Sequence, residues 1–165
     1  MSGTDSRIIY CWDTCVFLAL LKREADKDIA NLLAVAAEIE TGQADLIIST
    51  IVLAELLEII GDDRLVEQFN GFCRRPNVML ANVDPRVARK AASLRWLAKV
   101  PDERNNIKNL KTPDAIILAT AIIHEATALH TYDPDLLRFN GTDLSNNIPI
   151  LQPRMSSGQN VLGFT

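Results

Sequence analysis

The sequence predicts an α/β domain built on a parallel sheet covered by helices on both faces. Three observations carry this. Short apolar and β-branched runs of strand length alternate along the chain with longer stretches whose apolar residues recur every three or four positions. Strands that alternate with helices in this way pair in parallel, because a parallel connection needs a crossover helix. The third observation is size, since 165 residues make one domain by ordinary dimensions and can bury a sizeable core.

Each element follows from local chemistry. Residues 7–12 (RIIYCW) form the first strand and deliver Asp13 at its C-terminal end, and residues 15–22 continue with helical spacing. Residues 26–41 place Ile29, Leu32, Leu33, Ala36 and Ile39 on one face of a helix stopped by Gly42. Residues 45–49 (DLIIS) are the second strand. Ser49 or Thr50 then caps a helix over 51–60, because a hydroxyl there accepts from an N–H that the first turn leaves unpaired, and Gly61 ends it. A basic helix over 63–74 and a turn at Pro76 and Asn77 lead into a third strand over 78–83. Asp84 and Pro85 open a helix over 86–99 whose buried stripe is Val87, Ala91, Leu94 and Leu97. Thr112, Pro113 and Asp114 read as cap, first turn and dipole-complementing acid of a helix running to Ala126. Residues 128–132 form a fourth strand that stops at Asp133, and residues 148–151 are a candidate fifth. Residues 1–151 thus make a single domain, and residues 152–165 a C-terminal tail.

Composition narrows the function classes. Apolar residues at 48% and charged residues at 23% describe an ordinary globular chain rather than a disordered or fibrous one. The longest apolar run, 115–123, falls well short of the roughly 20 residues a membrane span requires. Residues 1–5 carry no basic region and no secretory signal is readable, so the expected location is cytoplasmic. Cys11, Cys15 and Cys73 are odd in number and contain no C-x-x-C pair, so they read as small buried hydrophobes rather than disulfide partners or zinc ligands with His124 and His130. The net charge is −4, yet between Arg64 and Lys111 eleven basic residues face only four acids. A basic section of this kind can hold a phosphate backbone while acids elsewhere do something different, although solvated helix faces produce the same asymmetry.

Four acids interrupt or bound apolar segments: Asp13, Glu55, Asp114 and Asp133. Ligands of parallel sheets bind beyond the carboxyl ends of the strands, where Asp13 and Asp133 stand. Each acid alone has a plain structural role, as helix cap, dipole partner or, for Glu55 with Glu58, a solvent-facing strip. Glu55 fits that role least well, because an acid on so apolar a helix needs a partner or a cation. Were the four to converge, their repulsion would call for a hard divalent ion such as Mg²⁺ or Mn²⁺, which activates water and neutralises phosphate charge. Other designs are missing: there is no G-x-x-x-x-G-K-[ST] loop, no G-x-G-x-x-G fingerprint and no G-x-S-x-G elbow. A D-x-D-x-T nucleophile would need an acid where Cys15 stands, and neither His124 nor His130 receives a catalytic role.

Four segments, IIYCWDTCVFLALL (8–21), ISTIVLAELLEI (48–59), KTPDAIILATAI (111–122) and LHTYDPDLLRF (129–139), resemble in order and spacing the PIN-domain ribonucleases, in particular the VapC-type toxins of toxin–antitoxin pairs. VDPRVARKAASL (83–94) also looks like the family's helix before the third acid. The resemblance implies a three-layer α/β/α PIN-like domain with a central, mostly parallel sheet of four to five strands. It implies a divalent-metal endoribonuclease using Mg²⁺ or Mn²⁺, with Asp13, Glu55, Asp114 and Asp133 as the acidic quartet. Asp13 and Asp114 would be the most direct ligands, Glu55 and Asp133 acting through water or on a second ion. Thr14 and Thr131 match supporting hydroxyl positions, and Asp135, two residues past Asp133, is placed to share or take the fourth acid's role. Lys108 and Lys111 are the expected contacts to the RNA backbone. In-line attack of water on the phosphodiester would leave a 5′-phosphate and a 3′-hydroxyl. The implied partners are an RNA substrate, a cognate antitoxin lying in a groove by the site, as in a type II toxin–antitoxin system, and a second copy in a homodimer. The alternative is a catalytically inactive PIN-fold module that binds RNA or protein.

Overall fold

In the computed structural model, which describes residues 7–100 and 109–156, the apolar run at the start of the chain becomes the centre of the sheet. Strand β1 (Ile8–Trp12) buries Tyr10, Cys11 and Trp12 completely. It pairs on one side with β2 (Ala44–Ser49), Cys11 standing opposite Ile47. On its other side it pairs with β4 (Ala128–His130), Trp12 standing opposite His130. The outer strands are β3 (Val78–Ala81) and β5 (Ile150–Leu151), so the order is β3-β2-β1-β4-β5 and every pairing is parallel. The expected mostly parallel sheet of four to five strands is therefore present, with all five strands parallel.

Helices α1 (Thr14–Lys22), α2 (Ile29–Glu40), α3 (Thr50–Ile60), α4 (Asp63–Cys73), α5 (Pro85–Ala98), α6 (Thr112–Ile123) and α7 (Pro134–Leu137) fill the connections. Aspartates start most of them: Asp13, Asp28, Asp62, Asp84 and Asp133 each accept from a backbone N–H of the turn they open. Helix α6 packs over β1, β2 and β4 with α5 along it, whereas α1 packs with α2 and α4, and α3 touches both groups. An aromatic cluster ties the second group to the sheet, with Trp12 and Phe17 centroids 5.2 Å apart and Phe17 and Phe69 5.3 Å apart.

The structure departs from the sequence expectation mainly at element ends. Helix α2 begins at Ile29 rather than 26, because Asp28 accepts from Asn31 N–H and fixes the start there. Neither Ser49 nor Thr50 supplies the expected cap: the Ser49 hydroxyl accepts from Thr120 Oγ1 at 3.2 Å, and the Thr50 hydroxyl accepts from Val83 N–H at 3.3 Å. Strand β3 stops at Ala81, which stands opposite Ser49, the last residue of its partner β2. On α5 the buried stripe ends in Ala98 and not Leu97, which is exposed. Helix α6 is entered from Lys111 with Thr112 already inside it, and it ends at Ile123 because Glu125 takes a left-handed φ of 55°. Strand β4 stops at His130, after which α7 and a 3₁₀ turn (Asp143–Ser145), neither expected, lead to β5. Past β5, Pro153 is buried and Ser156 N–H donates to the Tyr10 hydroxyl at 2.9 Å. No helix among the described residues is long and apolar enough to cross a membrane.

Candidate active site

Because β1 and β4 are neighbours, their C-terminal ends bring two acids to one edge of the sheet. Asp13 follows β1 and its N–H donates to His130 O at 3.1 Å, which holds the end of β1 against β4. Its Oδ1 accepts from Thr14 N–H at 2.6 Å as the cap of α1. Its Oδ2 accepts from the Thr131 hydroxyl at 2.7 Å and from the Cys15 thiol at 3.3 Å. Thr131 Oγ1 accepts in turn from Asp133 N–H at 3.0 Å, and Tyr132 N–H donates to Cys15 Sγ at 3.2 Å. The turn after β4 is thus knitted to the first turn of α1 through one hydroxyl and one thiol. Asp133 Oδ1 accepts from Asp135 N–H at 2.8 Å and so opens α7. From α3 comes Glu55, whose Oε2 accepts from the Thr14 hydroxyl at 2.5 Å. Asp114 stands in the first turn of α6, half-buried.

The carboxylates share one electrostatic field. Burial pushes the Asp114 carboxyl up to about 6, the charges of Asp13 and Asp133 push it the same way, Lys111 opposes them, and Glu55 adds a smaller push. Burial also raises Asp13, which is only 5% exposed, against the pull of its bonds from Thr131, Cys15 and Thr14. The Cys15 thiol is pushed up to about 12 by burial and the Asp13 charge, so it remains a protonated donor. Behind the site, burial lowers His130 to about 4, and its Nδ1 accepts from Trp12 Nε1 at 3.2 Å. It is a neutral core residue.

Asp13, Asp114, Asp133 and Glu55 therefore lie close enough for Asp114 to respond to each of the other three. Thr14 and Thr131 hold Glu55 and Asp13. Asp135 is turned to the surface, where it pairs with Arg138 at 3.2 Å and Lys111 at 3.7 Å. Lys111 sits at the edge of the acidic field, while Lys108 lies outside the described residues. Cys15 is the residue the sequence reading missed: it reads as a small hydrophobe, but its thiol bonds Asp13 and receives Tyr132 N–H. Position alone, two residues after Asp13 in the first turn of a helix, was the available signal.

The donor set is chemically suited to a hard divalent cation, being carboxylate and hydroxyl oxygen in a field of concentrated negative charge. Among the described residues, no three His, Cys, Asp or Glu side chains close around a single point.

Comparisons with known proteins agree with this fold. The PIN domain family model matches residues 10–141. Among solved structures the chain is similar to VapBC2 from Rickettsia felis bound to a DNA fragment from its promoter, with 19% identity, 87% of this chain and 97% of the other covered, and a TM-score of 0.59. It is similar to a toxin–antitoxin complex from Klebsiella pneumoniae, with 22% identity, 88% and 99% covered, and a TM-score of 0.56. It is also similar to VapC20 from Mycobacterium tuberculosis, a sarcin-ricin loop cleaving toxin, with 17% identity, 77% and 92% covered, and a TM-score of 0.54. No curated protein matches the sequence.

Proposed function

The chain belongs to the PIN domain family, and on that premise we propose that it is a divalent-metal-dependent endoribonuclease acting as the toxin of a type II toxin–antitoxin pair. The observation that carries the reading is the gathering of acids at the carboxyl edge of a parallel sheet, where Thr131 links Asp13 to Asp133, Thr14 holds Glu55, and Asp114 feels the charge of all three. A crowded acidic site of this kind calls for a cation and offers phosphodiester chemistry. Asp13 and Asp114 would hold Mg²⁺ or Mn²⁺ directly, with Glu55 and Asp133 acting through water. The ion would lower the pKa of the attacking water and offset the charge that builds on the phosphate.

The chain's own residues prepare for this. Thr131, Cys15 and Thr14 N–H aim three donors at Asp13, which fixes the carboxylate before any ligand arrives. The Thr14 hydroxyl orients Glu55. Lys111, at the entrance of α6, offers a positive charge where the RNA backbone would approach, in competition with its 3.7 Å pair to Asp135.

Two partners fit surfaces of this chain. Helices α1, α2 and α4 frame a groove of about 730 Å³ with an apolar floor including Phe17, Leu20 and Phe72 and with Arg64 and Arg75 among its lining residues. An antitoxin segment with apolar anchors and acidic flanks suits it. Leu57 and Ile59 on α3 and Met79 and Leu80 on the edge strand β3 are exposed, which suits a second copy of the chain.

The test is cleavage of a mixed structured RNA pool by purified protein free of any partner, with Mn²⁺ or with EDTA, beside Asp114→Asn. Metal-dependent cutting lost in the variant is expected. Folded protein that neither cuts nor takes up metal would overturn the nuclease and leave a binding module.

A further inference from the structure

Helix α5 carries Arg86, Arg89, Lys90 and Arg95 with no acid between Pro85 and Ala98, and Lys99 follows directly. Its apolar stripe, Val87, Ala91, Leu94 and Ala98, is buried. The opposite side presents Arg89, Ser93 and Trp96, which recur at the three-to-four spacing of one helix face. Trp96 is 69% exposed, the most open of the large apolar side chains among the described residues. An indole left in water on a helix of cations is not accounted for by the core. The C-terminal end of this helix is also tied to the segment that enters α6: Arg95 Nε donates to Leu110 O at 3.1 Å, and Leu110 lies just before the start of that helix, four residues ahead of Asp114.

We propose that this face of α5, with Arg89, Trp96 and Lys99 at its centre, is a docking track for single-stranded RNA that leads into the acidic site, Trp96 serving as the platform on which an unpaired base stacks. The inference rests on the ribonuclease reading and adds to it where the substrate is held. Cations track a phosphate backbone while an aromatic side chain takes the bases, and flat rings with regularly spaced negative charge are what single-stranded RNA supplies. A second copy docked through this face would set α5 against α5 and oppose cations with cations.

The test uses intrinsic fluorescence, because Trp12 is fully buried and Trp96 is the exposed indole. Full-length Asp114→Asn protein is titrated with an uncut single-stranded oligoribonucleotide, with poly-glutamate as an anion lacking bases, and Trp96→Phe in the same background reports Trp12 alone. Saturable quenching by RNA that poly-glutamate does not reproduce, and that Trp96→Phe lacks, is expected. Trp96→Ala should weaken RNA binding about tenfold, the scale of one base stack, and in the cleaving enzyme should raise KM more than it lowers kcat. Arg89→Ala with Lys99→Ala should flatten the salt dependence of binding by about 1.4 in slope, as the loss of two contacts to a single strand requires.

An active enzyme whose Trp96 emission ignores saturating RNA overturns the track and leaves the nuclease standing. Equal quenching by poly-glutamate overturns the stacking. Trp96 emission that shifts with protein concentration, with dimers lost in Trp96→Ala, assigns the face to a second copy and overturns the proposal. Quenching by RNA without metal-dependent cleavage would support the track while removing the nuclease, and absence of both binding and cleavage would remove both.

Discussion

Asp13 is pulled in two directions, since burial disfavours its charge while three donors favour it. Thr131 is central to that balance because its one hydroxyl serves both Asp13 Oδ2 and Asp133 N–H. Thr131→Val should cost about 2 kcal/mol in a chemical denaturation, the scale of a buried partner removed, and should lower Mn²⁺ affinity at least ~10-fold by calorimetry. Thr131→Ser should restore most of both. Asp114 gives a pH-dependent test. Its carboxyl is raised from 3.8 to about 6 in the folded protein, so its contribution to the stability of the metal-free protein is full below about pH 4 and is lost as pH rises through about 6. Asp114→Asn should therefore raise the Tm of metal-free protein at pH 7.5 by about 4 °C, once solvent screening of a half-exposed group is allowed for. The gain should shrink to nothing near pH 4, and an equal gain at both pH values would show that the carboxyl is not in a crowded acidic field. The four acids could be read from the sequence because each interrupts an apolar run. Cys15 could not, since its role depends on the thiol turning back toward the residue that caps its helix.

At the scale of elements, side-chain caps decided where helices begin. Asp84 accepts from Arg86 N–H at 2.8 Å and Val87 N–H at 2.9 Å, while Ser49, in the equivalent place for α3, makes no cap bond. Asp84→Ala should consequently lower the thermal midpoint while Asp84→Asn, which keeps a capping oxygen, retains most of it, with equal losses in both contradicting the cap assignment. Most helices and all five strands were legible from periodicity and from Asp, Pro and Gly at their ends. Their last residues were not, because they depend on partners distant in sequence: β3 ends at Ala81, opposite the last residue of β2, and Ser49 spends its hydroxyl on Thr120. The single turn of α7 was also missed, as four residues are too few to show a period.

At the scale of the whole molecule, the site exists because of strand order. Asp13 and Thr131 lie 118 residues apart and meet only because β1 is flanked by β4 rather than β3. Alternation in the sequence implied a parallel sheet, and parallel strands leave their carboxyl ends along one edge, but nothing local reveals which strands are neighbours. Among the described residues, the basic section between Arg64 and Lys111 is spread over α4 and the turn after it, α5 and the entrance of α6. If the acids jointly hold an ion, Mn²⁺ at about 100 times its Kd should stabilise the fold by about 2.7 kcal/mol. That is a Tm rise of roughly 5–10 °C, reversed by EDTA.

The most direct test of the central claim, that these acids form one metal-holding centre, is a calorimetric Mn²⁺ titration at pH 7.5 of the wild type beside Asp13→Asn and Asp114→Asn, each verified as folded. Saturable binding in the wild type, lost or weakened at least ~10-fold in both variants, is the predicted result. Wild-type affinity retained in both, or no binding to the folded wild type, would contradict it.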